Sequence, residues 1–391
     1  QQAALALRIR QIGAMQLYNG GFAAWPGLSE TYLWGSLYAS HFLVEARRSG
    51  APVPADMLEA ALANVRSMLP LAPRDDTSLA FSENLTNKAY ACYILALDGE
   101  APLGWMAHLG EQTDSLFESG RIFLAGARAL VSKTSKPLQG LGSSPSPERG
   151  SPTFESASRS IALKLLMWSE VDPLSATAAD LATKLVEEAR KGAWRTTQDN
   201  AVSILALGKW MEKTRSARKP FNAELKDESG MTLASFADGE KIALDLNKLP
   251  KGPLTLALSG EGTAYFAWTS AGVPLEAPEP FSNGVQVKRT WYTREGIEIE
   301  EGDPVSRGDR ITAALTITPA SGMRNLVVVD MLPGGMEIEN PRLTGEGDER
   351  QYAGIRSEMR DDRLILFIDN LVKPVEYSYL LRAVSKGTFT L

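Results

Sequence analysis

Cysteine is all but missing from this sequence of 391 residues: Cys92 stands alone. A single thiol excludes an intrachain disulfide and any multi-cysteine zinc site. Histidine is nearly as scarce, and His41 and His108 are too few for a histidine-rich metal site. Positive charge is not in excess either. Lys and Arg total 41 against 47 Asp and Glu, a formal net charge of −6, which argues against a nucleic-acid partner, whose phosphates demand clustered cations. No apolar run reaches the ~18 residues that mark a transmembrane helix. No glycine-rich phosphate loop follows a strand-like run. Gln1 carries neither an initiator Met nor a signal peptide, and Gly387-Thr388-Phe389-Thr390-Leu391 ends in what reads as a strand. Both ends therefore read as cuts in a longer chain, with localisation signals outside it.

What the sequence does contain is a repeat. Trp25, Phe81, Phe117, Phe154 and Trp194 each sit in or beside a polar turn that leads into an alanine-rich apolar helix, at spacings of 56, 36, 37 and 40 residues. Periods of this size mark stacked repeats, whose units cannot bury their apolar faces alone. Two kinds of helix alternate. Ala89 to Leu97 and much of Ile161 to Trp168 are apolar on every side, so other helices must enclose them. Leu174 to Lys191 instead carries one apolar stripe (Ala178, Leu181, Leu185, Ala189), and Met57 to Leu69 repeats that pattern. Buried helices alternating with amphipathic ones predict two concentric rings, an α/α toroid. Five inner helices can be counted where a closed toroid usually has six hairpins, and the sixth is expected upstream of residue 1.

Helical periodicity stops near Met211 to Arg218, where a basic run suits a helix C-terminus. Short β-rich runs follow at Lys241 to Leu246, Leu254 to Leu258 and Thr263 to Thr269, and prolines at 274, 278 and 280 mark a linker. Beyond it, Val285/Val287, Ile311 to Ile317, Leu364 to Ile368 and Tyr377/Tyr379/Leu381 read as strands of an antiparallel sandwich. The predicted organisation is a helical toroid over 1–216, a small β domain over 217–278 and a β-sandwich over 281–391. The Ser-, Pro- and Gly-rich stretch Ser132 to Pro152 predicts that one outer helix is short or missing.

No set of residues assembles into an active site, so no catalytic, cofactor-binding or metal-binding residue is assigned. Asp75-Asp76 and Asp361-Asp362 are adjacent acids, which point to opposite sides of an extended chain and read as solvated turns. His41 falls within an inner helix and reads as a hydrogen-bonded core or rim histidine. Cys92 reads as a small buried hydrophobe. Arg307-Gly308-Asp309 is read as a β-turn. Terpenoid cyclases and glycosidases also use helical toroids, but the cyclases' Asp-x-Asp-Asp cluster is missing. A glycosidase would need two of Glu45, Glu83, Glu118, Glu155 and Asp199 paired across a cleft.

The order of the pieces carries a resemblance. Gly20-Gly21-Phe22-Ala23-Ala24-Trp25-Pro26-Gly27 and then Tyr38 to Ala46 resemble the thioester-domain toroid of bacterial alpha-2-macroglobulins. Trp194 to Ala201 resembles that domain's last hairpin. Val287 to Tyr292, Val329 to Gly335, Arg360 to Phe367 and Gly387-Thr388-Phe389 resemble the family's C-terminal macroglobulin-like domain, and residues 217–278 resemble part of a CUB-type domain. The likeness is collinear over nearly the whole chain. It implies the C-terminal part of an envelope protein that traps and inhibits peptidases after they cut a bait segment, with this part supplying structural and docking surfaces. The alternative it implies is a scaffold or partner-binding component of an envelope complex, in a member without the family's Cys–Gln thioester. The implied location is periplasmic, anchored to a membrane through a segment outside this chain. The implied partners are peptidases and other envelope proteins, with no cofactor and no enzymatic activity. Bait and thioester would both lie upstream: Cys92 is followed by Tyr-Ile-Leu rather than x-Glu-Gln, and Leu109-Gly110-Glu111-Gln112 has Leu where the thioester cysteine would stand.

Overall fold

The structure is a computed structural model that describes the chain except residues 1, 143–153, 191, 193, 195, 218, 238–239, 241, 262–271, 274–278, 301, 340–353 and 390–391. It divides into two compact units, Gln1–Ala267 and Trp268–Leu391.

Nine α-helices, among the described residues, build the first unit: α1 Gln2–Gly13, α2 Leu33–Arg48, α3 Ala55–Met68, α4 Ser78–Asp98, α5 Leu103–Gly110, α6 Glu118–Ser132, α7 Ala157–Val171, α8 Ala176–Arg190 and α9 Thr197–Lys213. Helices α2, α4, α6, α7 and α9 pack in series as the inner layer, with α3, α5 and α8 on the outside. The sequence explains the layering. In α4, Ala89, Tyr90, Ala91, Cys92, Tyr93, Ile94 and Leu95 are all buried, so no face is left for solvent. In α8 only Ala178, Ala182 and Leu185 are buried, one stripe of an otherwise wet helix. Each fully buried Leu, Ile or Met of the inner layer contributes about 1.5–3 kcal/mol relative to exposure. Gly126 of α6 lets α7 close in, because a Cβ there would lie 2.1 Å from Met167 Sδ. Between α6 and α7 the described residues hold only a single 3₁₀ turn, Lys136–Leu138, in place of an outer helix.

Helix α4 starts earlier than the aromatic-turn pattern predicted. Phe81 lies inside its first turn, because Thr77 caps the helix by accepting the Ala80 N–H at 3.1 Å. At the other end Gly99, at φ 100°, stops it in the left-handed conformation that glycine adopts without strain.

Cys92 is fully buried on α4, and desolvation pushes its thiol up to about 12. Its thiolate is therefore scarce at neutral pH. The native protein should resist maleimide and react only after unfolding, and Cys92→Ala should cost about 1 kcal/mol. Rapid native labelling, followed by mass spectrometry, would contradict this burial.

After α9, strands β1 Phe221–Lys226, β2 Thr232–Ala237 and β3 Thr255–Gly260 form an antiparallel sheet in the order β2-β1-β3. The strand predicted over Lys241 to Leu246 is not formed: residues 242–245 are irregular and lead into a 3₁₀ turn at Leu246–Lys248. Ile242 and Leu244 alternate as a strand would, but both are exposed, so no buried face rewards extension. The aromatic strand expected over Thr263 to Thr269 lies outside the described residues, as do linker prolines 274 and 278.

The second unit has a five-stranded sheet and a three-stranded one. The first contains β4 Val285–Tyr292, β5 Glu298–Ile299, β6 Arg310–Pro319, β8 Met336–Ile338 and β11 Val375–Ala383, in the order β5-β4-β6-β11-β8. The second orders β7 Met323–Met331, β10 Arg363–Leu371 and β9 Ile355–Met359 as β7-β10-β9, and all the pairings are antiparallel. Alternation selects the core: Ile311, Ala313, Leu315 and Ile317 of β6 pack with Leu364, Leu366 and Ile368 of β10. One buried polar group ties the sheets. Asp330 of β7 accepts from Tyr379 Oη of β11 and from Arg289 Nη1 of β4, both at 2.6 Å. Asp330→Ala should destabilise this unit by about 3 kcal/mol, because it strands a partly buried arginine and a buried hydroxyl. Hydrogen exchange should show β6 and β10 amides losing protection, and unchanged protection would show the tie to be dispensable.

Two motifs distant in sequence meet in this unit. The Phe389 ring lies over Gly334, Gly335 and Gly387, where an added Cβ would come within 2.5–2.8 Å of it. The glycines of Pro333-Gly334-Gly335 thus make a flat shelf for an aromatic ring from the end of the chain.

Candidate functional site

The inner helices of the first unit turn polar side chains toward one another, in a sequence that is otherwise apolar there. At their C-terminal ends, Lys209 of α9 pairs with Glu45 of α2 and Glu170 of α7, and so links the last inner helix to the first. Arg48 grips Glu170 with both terminal nitrogens, at 3.0 and 2.8 Å. Burial alone would raise the Glu45 carboxyl, but the neighbouring His41 and Lys209 side chains outweigh it and hold the group at about 2. Burial likewise opposes ionisation of Glu170, and Arg48 and Lys209 override it, so its pKa is lowered.

Aromatic side chains fill the middle of the ring. His41 Nδ1 is hydrogen-bonded to Tyr90 Oη at 2.9 Å, and its ring stands edge-on to Tyr90 and Tyr93. Its Nε2 lies 3.7 Å from Glu45, at ion-pair rather than hydrogen-bond distance. Desolvation drives both tyrosine hydroxyls well above their ordinary value.

The N-terminal rim carries a second polar set, in which neighbouring units complete the start of α6 and link the caps of α7 and α9. Thr86 of α4 accepts the Phe117 N–H ahead of α6 at 3.1 Å. Glu155, ahead of α7, accepts from the Ser119 N–H of α6 at 3.1 Å and from the Ser119 hydroxyl. Ser156 caps α7 through the Arg159 N–H and donates to Asp199 of α9, itself half of a capping box with Thr196. Glu118 is paired with Lys164 at 2.9 Å. Four of the five carboxylates that a glycosidase could have used therefore stabilise helix starts or offset buried cations. Only Glu83 does neither, with Arg74 3.8 Å away.

His41 faces two tyrosines and a glutamate, Cys92 is elsewhere on α4, and the serine hydroxyls that meet carboxylates here, Ser119 and Ser156, lie at helix starts. Among the described residues no group of three or more His, Cys, Asp or Glu side chains could hold a metal ion. No helix of the described residues is long and apolar enough to cross a membrane. Asp75 and Asp362 lie in exposed turns, spent on Thr77 and Arg363. Gly308, at φ 97°, sits in a turn closed by Asp309, as the β-turn reading of that tripeptide anticipated. Sequence reading missed Arg159, Lys164, Glu170 and Lys209. Charges inside helices otherwise apolar all round were the available signal.

The comparisons with known proteins agree with this architecture. The family description "Bacterial Alpha-2-macroglobulin MG10 domain" matches residues 284–391. Alpha-2-macroglobulin of Escherichia coli K12 is 25% identical over an alignment that takes in 100% of this chain and 25% of that protein. Its counterpart from Xylella fastidiosa Temecula1 is 25% identical across 97% of this chain and 25% of its own length. Salmonella alpha-2-macroglobulin reacted with methylamine superposes with a TM-score of 0.59 at 25% identity, covering 100% of this chain and 26% of that one. Native Escherichia coli alpha-2-macroglobulin from domain MG7 to the C-terminus shares the fold at a TM-score of 0.60, with 23% identity and 64% of its chain covered. The chain thus spans about a quarter of the length of the curated relatives it matches. A helical toroid followed by antiparallel β domains, likeness along the whole length and a match to the MG10 domain at residues 284–391 make the chain similar to the C-terminal part of bacterial alpha-2-macroglobulins.

Proposed function

We propose that this chain works as the C-terminal part of a peptidase-trapping protein of the bacterial envelope, and that it supplies structure and docking surfaces rather than chemistry. In this reading residues 1–216 are the thioester-domain toroid, 217–278 part of a CUB-type domain and 281–391 the C-terminal macroglobulin-like domain. The observation that carries it is collinearity: toroid, small sheet and sandwich occur in one order along a chain whose whole length aligns with alpha-2-macroglobulins. The site geometry supports it, because the carboxylates of the ring's axis and rim are consumed by helix starts and buried cations. The location in the periplasm and a membrane anchor outside this chain belong to the same proposal.

The test compares the complete protein with residues 1–391, each incubated with a panel of peptidases. The complete protein should slow cleavage of a large protein substrate while leaving a small peptide substrate accessible. Residues 1–391 alone should neither slow it nor form SDS-resistant adducts. Inhibition by the shorter chain would show that trapping machinery resides within it. Failure of the complete protein to inhibit any peptidase would overturn the trap and favour an envelope scaffold lacking the thioester.

A further inference from the structure

Arg159, in the first turn of α7, is only 2% exposed. Its Nε and Nη1 are buried and have no hydrogen-bond partner among the described residues. The carboxylate beside it is that of Glu155, with Oε1 3.9 Å from Nη1, beyond hydrogen-bond range. A guanidinium does not escape burial by losing its proton. An enclosed cation with donors open on both edges of its plane is therefore costly unless something accepts from it.

The neighbours on the rim do not fill that role. Glu155 already accepts twice from Ser119 at the start of α6. Glu118 is held by Lys164, and Asp199 by Ser156 and Thr196. The Tyr38 and Tyr90 hydroxyls lie within electrostatic reach of Arg159, but Tyr90 is engaged with His41. Tyr38 in turn stacks on Trp34 with centroids 5.1 Å apart, and Phe154 closes on Trp34 at 4.6 Å. Phe154 is half-exposed and held at φ 57°, a left-handed conformation unusual for an aromatic residue.

We propose that Arg159, at the start of α7 and near Tyr38, is a binding site for a carboxylate. A planar monoanion can take the open guanidinium donors. A phosphate dianion would be bulkier, and its second charge would be repelled by Glu155, Glu118 and Asp199 on the same rim. The carboxylate could belong to a free small acid or to a peptide, as a C-terminus or an acidic side chain. This site goes beyond the trapping role, which assigns no ligand to the ring.

The experiment is a thermal melt of the 391-residue chain, followed at 222 nm, with sodium acetate, a short peptide with a free C-terminal carboxylate, inorganic phosphate, or chloride at matched ionic strength. Acetate or the peptide should raise the midpoint saturably, by about 5 °C at ~100-fold excess over Kd, and acetamide should not. Acetate alone acting would identify a small acid as ligand, and tighter binding of the peptide would identify a protein segment. R159M should abolish the increment, with little change in the unliganded midpoint. Equal shifts with chloride, a preference for phosphate, or an increment that persists in R159M would each overturn the site. Should R159M not fold, calorimetric titration of the unmodified chain decides. Saturable heat with acetate and none with acetamide supports the site, and no saturable heat with acetate refutes it.

Discussion

Gly20→Ala should cost the helical unit about 2–4 kcal/mol, far more than an exposed loop substitution usually does. Gly20 sits at φ 78°, and a Cβ there would lie 2.0 Å from the carbonyl oxygen of Ala60 and 2.6 Å from its carbon. Those atoms are backbone in the middle of α3, so no side chain can rotate away. Nor can the loop retreat. Gln16 donates to Met57 O at 2.9 Å, Asn64 donates to Asn19 O at 3.1 Å, and Leu17 and Gly21 are joined by a backbone bond of 2.8 Å. Moving α3 instead would unseat Leu58, Leu62 and Val65 from the core. Overpacking costs about 1–3 kcal/mol and left-handed strain about 1 more. Gly27 is the control, since at φ 87° it has no atom within 4 Å of its would-be Cβ. Gly27→Ala should cost only the conformational part, about 1 kcal/mol. Urea titrations monitored at 222 nm should separate the two, and equal losses would refute the steric argument.

Lys209→Ala should be comparably damaging, by about 3–5 kcal/mol at pH 7, because it leaves two buried carboxylates to share one arginine. Glu170 is 3% exposed as a side chain and Glu45 13%. The pH dependence gives a second signature. Glu45 is held at about 2 in the folded protein, below its ordinary 4.5. Its contribution to stability is therefore complete above about pH 4.5 and is lost as pH falls toward 2. Without Lys209 its folded pKa rises, so the variant has less acid-sensitive stability to lose. The gap between the two proteins should narrow from pH 7 to pH 3. A gap that stays constant would locate the damage in lost packing of the lysine stem rather than in charge.

Much of this architecture is legible in the sequence, and what is not legible has definable causes. Ala89 to Leu97 announces a buried helix because no polar residue interrupts it, and Ala178 to Ala189 announces an outer one by its single stripe. Among the described residues, the single 3₁₀ turn at Lys136–Leu138 in place of an outer helix suits the Ser, Pro and Gly content there. The failures are of two kinds. The patterns at Phe81 and over 241–246 are local, and local pattern does not show that Thr77 caps a helix one turn earlier or that Ile242 and Leu244 stay exposed. The pairing of Lys209 with Glu45 depends on which helix lies opposite which, and that is set by ring closure, not by neighbours in sequence. Arg159 is hidden for a related reason. Its isolation becomes visible only once Glu155, Glu118 and Asp199 are seen to be committed elsewhere.

Completing helix starts from neighbouring units also has a consequence for synthesis. Helix α6 leaves the ribosome before Glu155, which finishes its first turn, and Ser156 emerges well before Asp199. Glu45 waits longest, since its ammonium partner follows 164 residues behind it. At about 5–20 residues per second, that carboxylate spends on the order of ten seconds or more with no counter-ion from α9. The ring is therefore not laid down turn by turn as it is made. Its earliest inner helix stays reversible until its latest one arrives.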